Sequence, residues 1–256
     1  MDDRGEPDRW LRTFRPVPGS AALLFCFPFA GGAASYFYPF AAALAPLAEV
    51  RAVQYPGRQD RIMEPCAQTI GELAAAIAAV LARAADRPYA FFGHSMGALV
   101  GYEVARALRR RGLPGPRWLL VSGQNAPSRT EPDYVRARDD GELVAELRAL
   151  GGIDPQLLDD QDMLAVILPP LRSDYRAIEA YQHQRGQPLD CPVTALAADD
   201  DRYTTVPDVE AWAGHTAGAF DLRVFHGGHF FIDACQDEVT GIITAALGAC
   251  LPASDA

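Results

Sequence analysis

The stretch YAFFGHSMGALVGYEVA, residues 89–105, constrains the fold of this chain more than any other. An apolar run passes into Gly93-His94-Ser95-Met96-Gly97 and a helical pattern begins at once, so a strand, a tight turn and a helix follow one another without a spacer. The glycines two residues before and after Ser95 remove side chains that would collide with the adjoining strand and helix. Ser95 is thereby pushed into the open. A strand that hands its chain straight to a helix belongs in a sheet whose strands run parallel.

The same rhythm extends along the chain: ALLFCF, FYPFAAALAPLA, EVRAVQY, TIGELAAAIAAVLARA, YAFFG and WLLVSG alternate short apolar runs with helical patterns. This predicts an α/β fold, a mostly parallel sheet covered by helices on both faces. In IGELAAAIAAVLARA, Ile70, Leu73, Ile77, Val80 and Leu81 recur at helical spacing, which predicts a helix with one buried stripe. From about Ser128 to Gln184 the strand pattern stops, and charged helical segments such as DDGELVAELRALGG and QDMLAVILPPLRSDYRAIEAYQH take over. A helical insertion over 128–184, sitting on the sheet as a lid, is the expectation. PVTALAA and DLRVF resume the strands, and DEVTGIITAALGACL closes the chain as a helix. With no repeat or low-complexity linker and 49% hydrophobic residues, a single domain over 1–256 is expected.

Composition removes several chemistries. A net charge of −10 opposes nucleic acid or an anionic membrane as partner. All 23 basic residues are arginine, so Schiff-base, phosphate-loop-lysine and Ser-Lys mechanisms are excluded. The five cysteines are scattered without a CxxC pair, which fits a reduced, cytoplasmic protein. The charged start MDDRGEPDRW lacks a signal-peptide core, and no apolar run of membrane-spanning length follows.

Ser95 in this context is a candidate nucleophile, against the plainer reading of a serine capping an ordinary helix. A serine needs a base, and there are five histidines: His94, His183, His215, His226 and His229. His94 sits within the turn, and His183 and His215 have surface or packing explanations. In DLRVFHGGHFFIDAC a strand ends in a glycine-flanked loop, and His229 lies deeper in it than His226, beside Phe230 and Phe231, which would wall off water. A metal site of His226, His229 and nearby aspartates is a weaker alternative, because the ligand count is poor. In the α/β-hydrolase order of serine, acid, histidine, the acid lies between Ser95 and His229 at a strand's end. VTALAADDD meets both conditions and leaves Asp199, Asp200 and Asp201 as candidates, with their crowding expected to raise a pKa among them. The N–H of Met96 is one oxyanion donor, and FPFAGGAA, with Phe29 and Ala30 before Gly31-Gly32, supplies the other.

Over nearly its whole length the chain resembles the stand-alone type II thioesterases that accompany polyketide synthases and nonribosomal peptide synthetases. The matching segments are LFCFPFAGG, YPGRQDR, FFGHSMGALVGYEVARALRRRG, LPPLRSDYRAIEAY, CPVTALAADDDRYT and GGHFFI. The resemblance implies Ser95 as nucleophile, His229 as base, Asp201 as acid, and the N–H groups of Ala30 and Met96 as oxyanion hole. It implies hydrolysis of acyl groups from the phosphopantetheine arm of acyl or peptidyl carrier proteins, and a monomer needing no cofactor of its own is expected. Phe29, Phe230, Met163 and Ile167 are then candidate substrate contacts. Arg58 and Arg61 are candidate contacts to an acidic carrier, or braces of their own loop. The rivals are a small-ester carboxylesterase, a product-releasing enzyme, and a hydrolase-like fold used only for binding.

Overall fold

Seven strands, β1 (Leu11–Arg12), β2 (Ala22–Phe27), β3 (Ala48–Val53), β4 (Tyr89–His94), β5 (Trp118–Ser122), β6 (Val193–Ala198) and β7 (Phe220–Phe225), form one sheet in the order β1-β3-β2-β4-β5-β6-β7. This is the fold of a computed structural model that describes residues 9–45, 47–129, 139–151 and 155–251. Every neighbouring pair is parallel except β1 with β3, where Leu11 faces Val53 and Arg12 faces Ala52. β1 leaves no signal in the sequence, because two residues are too few to show a period of two.

β2, β4 and β6 are buried at every position, as unbroken apolar strands covered on both faces must be. Alternate side chains divide between two cores. Leu23, Phe25 and Phe27 join Phe91 and Val121 under α2 (Ile70–Ala84) and α3 (Met96–Arg110). Leu24 and Cys26 join Phe92 and Leu196 under α1 (Tyr38–Leu44) and α8 (Gln236–Cys250). The stripe expected in α2 is the buried one: Ile70, Leu73, Ile77, Val80 and Leu81 all lie in the core. Thr69 caps that helix by accepting from the Glu72 N–H, which satisfies one of its orphan donors.

Between β5 and β6 stand α4 (Asp140–Leu150) and α5 (Gln161–Glu179). They build a small cluster of their own, in which Leu143, Leu147 and Leu158 meet Leu168 and Leu171. Residues 130–138 and 152–154 of the expected insertion lie outside the described residues. After β6 come α6 (Val206–Glu210) and, beyond β7, α7 (Phe231–Ala234). Because β2, β4, β5, β6 and β7 run parallel, their C-terminal ends share one edge of the sheet, the usual place for a site in such folds. Among the described residues no helix is long and apolar enough to cross a membrane.

Candidate active site

At the end of β4 the backbone of Ser95 takes φ 53° and ψ −125°, a strained conformation for a residue with a side chain. The turn tolerates it only because its neighbours are glycines. A Cβ on Gly93 would lie 2.3 Å from the Gly97 carbonyl oxygen, and one on Gly97 would lie 2.0 Å from that of Phe27. The Ser95 N–H donates to the Ser122 carbonyl at 2.8 Å, which ties the turn to β5. Met96 is the first residue of α3, so its N–H has no acceptor within the helix.

β6 and β7 extend their ladder into the next loop, where the N–H groups of Asp199 and Asp200 donate to the carbonyls of Phe225 and Gly227. Asp201 then turns inward. Its side chain is 0% exposed, and its Oδ2 lies 2.8 Å from His229 Nδ1. The same carboxylate accepts from the Tyr203 N–H at 2.9 Å and from Thr204 Oγ1 at 2.8 Å. Asp199 faces solvent, paired with the exposed His226 at 2.8 Å and accepting from the Gly227 N–H at 3.0 Å. Crowding does not raise its pKa. The hydrogen bond from His226, then that from Gly227, lowers it instead.

His94 is fully buried, with Nδ1 3.0 Å from Ser122 Oγ and its ring 5.1 Å from that of His229. Burial, then the neighbouring His229, holds its pKa well below the usual histidine range, so it packs behind the site as a neutral ring. His215 is also buried, between Tyr102 and Ser128.

In the loop after β2, the Gly32 N–H donates to the Phe29 carbonyl at 2.9 Å and the Gly31 N–H to Asp174 Oδ2 at 2.8 Å. Among the described residues the Ala30 N–H has no acceptor. Arg58 and Arg61 are not exposed contacts for a partner: they are 5% and 6% exposed. Arg58 is committed to Asp174, and Arg61 to Glu64, to the Gln54 carbonyl and to the face of Trp10, so both brace the loop after β3.

A cavity of about 40 Å³ opens over Ser95 and His229, with Phe29, Ala30 and Phe230 around them. The rings of Phe29 and Phe230 meet edge to face at 4.8 Å and close one wall. The far wall comes from Leu147 and Leu150 of α4 and from Tyr175 and Ile178 of α5. Met163 and Ile167, expected there, do not line it. They sit in the first half of α5, where Ile167 packs onto the insertion's own cluster. Periodicity gave the apolar face of that helix but not which of its turns crosses the site. Gln124 and Tyr203 also line the cavity and were missed. The signal for Gln124 was its place just beyond the C-terminal end of a parallel strand. Ser95 and His229 share this cavity, although no hydrogen bond joins them among the described residues, as is common before substrate tightens such a pair.

Residues 22–247 match the family model described as the thioesterase domain. A probable cadicidin biosynthesis thioesterase of Streptomyces griseus is 47% identical over 93% of this chain, which spans 66% of that protein's length. Thioesterase PikA5 of Streptomyces venezuelae is 44% identical, covering 92% of this chain and 84% of its own. Among solved structures, the type II thioesterase BorB from the borrelidin biosynthetic cluster superimposes with a TM-score of 0.87 at 44% identity, over 94% of this chain and 98% of BorB.

Proposed function

The chain belongs to the thioesterase family, and on that footing we propose that it hydrolyses acyl groups from the phosphopantetheine arm of carrier proteins, clearing aberrant units from a polyketide synthase or nonribosomal peptide synthetase. The observation that carries this reading is the buried Asp201–His229 pair facing the same cavity as a serine on a strained turn.

Ser95 Oγ attacks the thioester carbonyl while His229 Nε2 takes its proton. The His229 Nδ1–H donates to Asp201, which leaves Nε2 as the base and stabilises the imidazolium that forms. The N–H groups of Ala30 and Met96 receive the oxyanion. As the tetrahedral adduct collapses, the C–S bond breaks and His229 returns the proton to the pantetheine thiolate. Water, deprotonated by His229, then splits the acyl-Ser95 ester and frees the acid. The insertion serves as a lid over one catalytic domain, and the acyl group lies in the cavity between Ser95 and the apolar wall of Leu147, Leu150 and Ile178.

Hydrolysis rates on acyl-carrier thioesters, measured against matched oxygen esters across short, long, branched and aminoacyl groups, test the reading. Faster turnover of the thioesters, lost in Ser95→Ala, is expected. A clear preference for the oxygen ester would make the protein a carboxylesterase instead. Failure of a fluorophosphonate to label Ser95 would make it a binding protein.

A further inference from the structure

The loop that carries Ala30 is held by a charge pair drawn from two distant parts of the chain. Arg58, from the loop after β3, grips Asp174 of α5 with Nη1 at 2.6 Å and Nη2 at 2.9 Å. Both are almost fully buried, Asp174 at 2% and Arg58 at 5% exposed. The pair reaches the turn at residues 29–32 from two sides: Asp174 Oδ2 accepts the Gly31 N–H, and Arg58 Nη1 donates to the Gly32 carbonyl at 3.1 Å. The turn's own bond, Gly32 N–H to the Phe29 carbonyl, completes the clamp. In a trans peptide the carbonyl of Phe29 and the N–H of Ala30 point in opposite directions. Fixing the carbonyl therefore fixes the direction of the free N–H.

Gly31 adopts φ +73°, and a Cβ there would press on Leu171 Cδ1 at 3.0 Å, so the turn and α5 fit only at close range. One turn further along α5, Tyr175 and Ile178 line the cavity. The same helix thus contacts both the acyl chamber and the peptide that precedes the chemistry.

We propose that Asp174 is a positioning residue: by holding the Gly31 N–H from the insertion, it aims the Ala30 N–H at the oxyanion and makes catalytic competence depend on α5 being seated. This rests on the reading of Ala30 as an oxyanion donor. Arg58 has a defined part in it. A bare carboxylate beside the oxyanion would oppose the charge that develops there, and the guanidinium cancels it. Burial alone would lower the pKa of Arg58, but Asp174 outweighs it and keeps the guanidinium charged.

The test uses the intact protein, an acyl N-acetylcysteamine thioester, a trifluoromethyl ketone that adds Ser95 to form an oxyanion, and a thioether analogue that has no carbonyl. Asp174→Leu alone strands a buried cation, so the informative variant is Arg58→Met with Asp174→Leu, which removes both charges together. Its kcat should fall about 10- to 100-fold with KM unchanged, the scale of a misaimed donor. Affinity for the trifluoromethyl ketone should fall by the same factor, and affinity for the thioether should hold. Arg58→Met with Asp174→Asn strands no cation and keeps an acceptor for Gly31, so it should recover most of the lost kcat. Wild-type kcat in the Arg58→Met, Asp174→Leu variant, equal weakening of both analogues, or an Arg58→Met, Asp174→Asn variant as slow as the leucine one would each overturn the positioning role. Inhibition of the wild type by the trifluoromethyl ketone, abolished in Ser95→Ala, tests the site itself. Its absence would overturn both readings.

Discussion

Asp199, Asp200 and Asp201 are adjacent in sequence and unlike in surroundings, so single Asp→Asn changes should separate them. Asp201→Asn replaces a fully buried acceptor of His229, and kcat on a carrier thioester should drop about 10³- to 10⁴-fold as the imidazole loses its orienting partner. Asp199→Asn disturbs solvent-facing bonds to His226 and to the Gly227 N–H, and Asp200 faces solvent, so steady-state rates for both should stay near wild type. A crippled Asp199→Asn variant would mean that the wrong carboxylate has been matched to His229. Chain order and the strand's end narrowed the acid to these three. Residue patterns went no further, because which way each side chain leaves the loop depends on how β7 holds the backbone of Asp199 and Asp200. The His226 partner of Asp199, 27 residues away, was equally invisible.

The insertion is fastened near both of its ends to one buried histidine. His215 touches Ser128, ahead of α4, and its ring lies 4.9 Å from that of His183, just beyond α5. Burial, then His183 and Arg106, pushes the His215 pKa from 6.5 down to about 4. Between those values the unfolded chain binds a proton that the folded chain refuses. Stability present above pH 6.5 is therefore lost progressively as pH falls toward 4. Thermal melts across this window should show a falling Tm, and His215→Gln should lessen the slope, the remainder coming from the buried His94; an unchanged slope would remove His215 as a source. On the cavity side, Ile178→Phe should shorten the chamber, cutting hydrolysis of hexanoyl relative to acetyl thioesters about 10-fold. Equal loss on both chain lengths would place the acyl group elsewhere. The α2 stripe was readable because one face of that helix meets one core. The turn of α5 that meets the cavity was not, since it depends on where the insertion rests.

Across the whole molecule, repetition made the fold legible. Five parallel pairings and two layers of helices follow from short apolar strands that alternate with amphipathic helices. What stayed hidden are contacts that no period encodes, such as Arg58 with Asp174 across 116 positions, or an edge strand of only two residues. The insertion leaves the sheet after β5 and returns at β6, and these strands are direct neighbours. Its span can lengthen, shrink or be exchanged without breaking a single ladder bond between them. Selection can thus rework the far wall of the chamber as a separable module while the nucleophile's strand and turn stay untouched, provided each newcomer still offers an acceptor to Gly31.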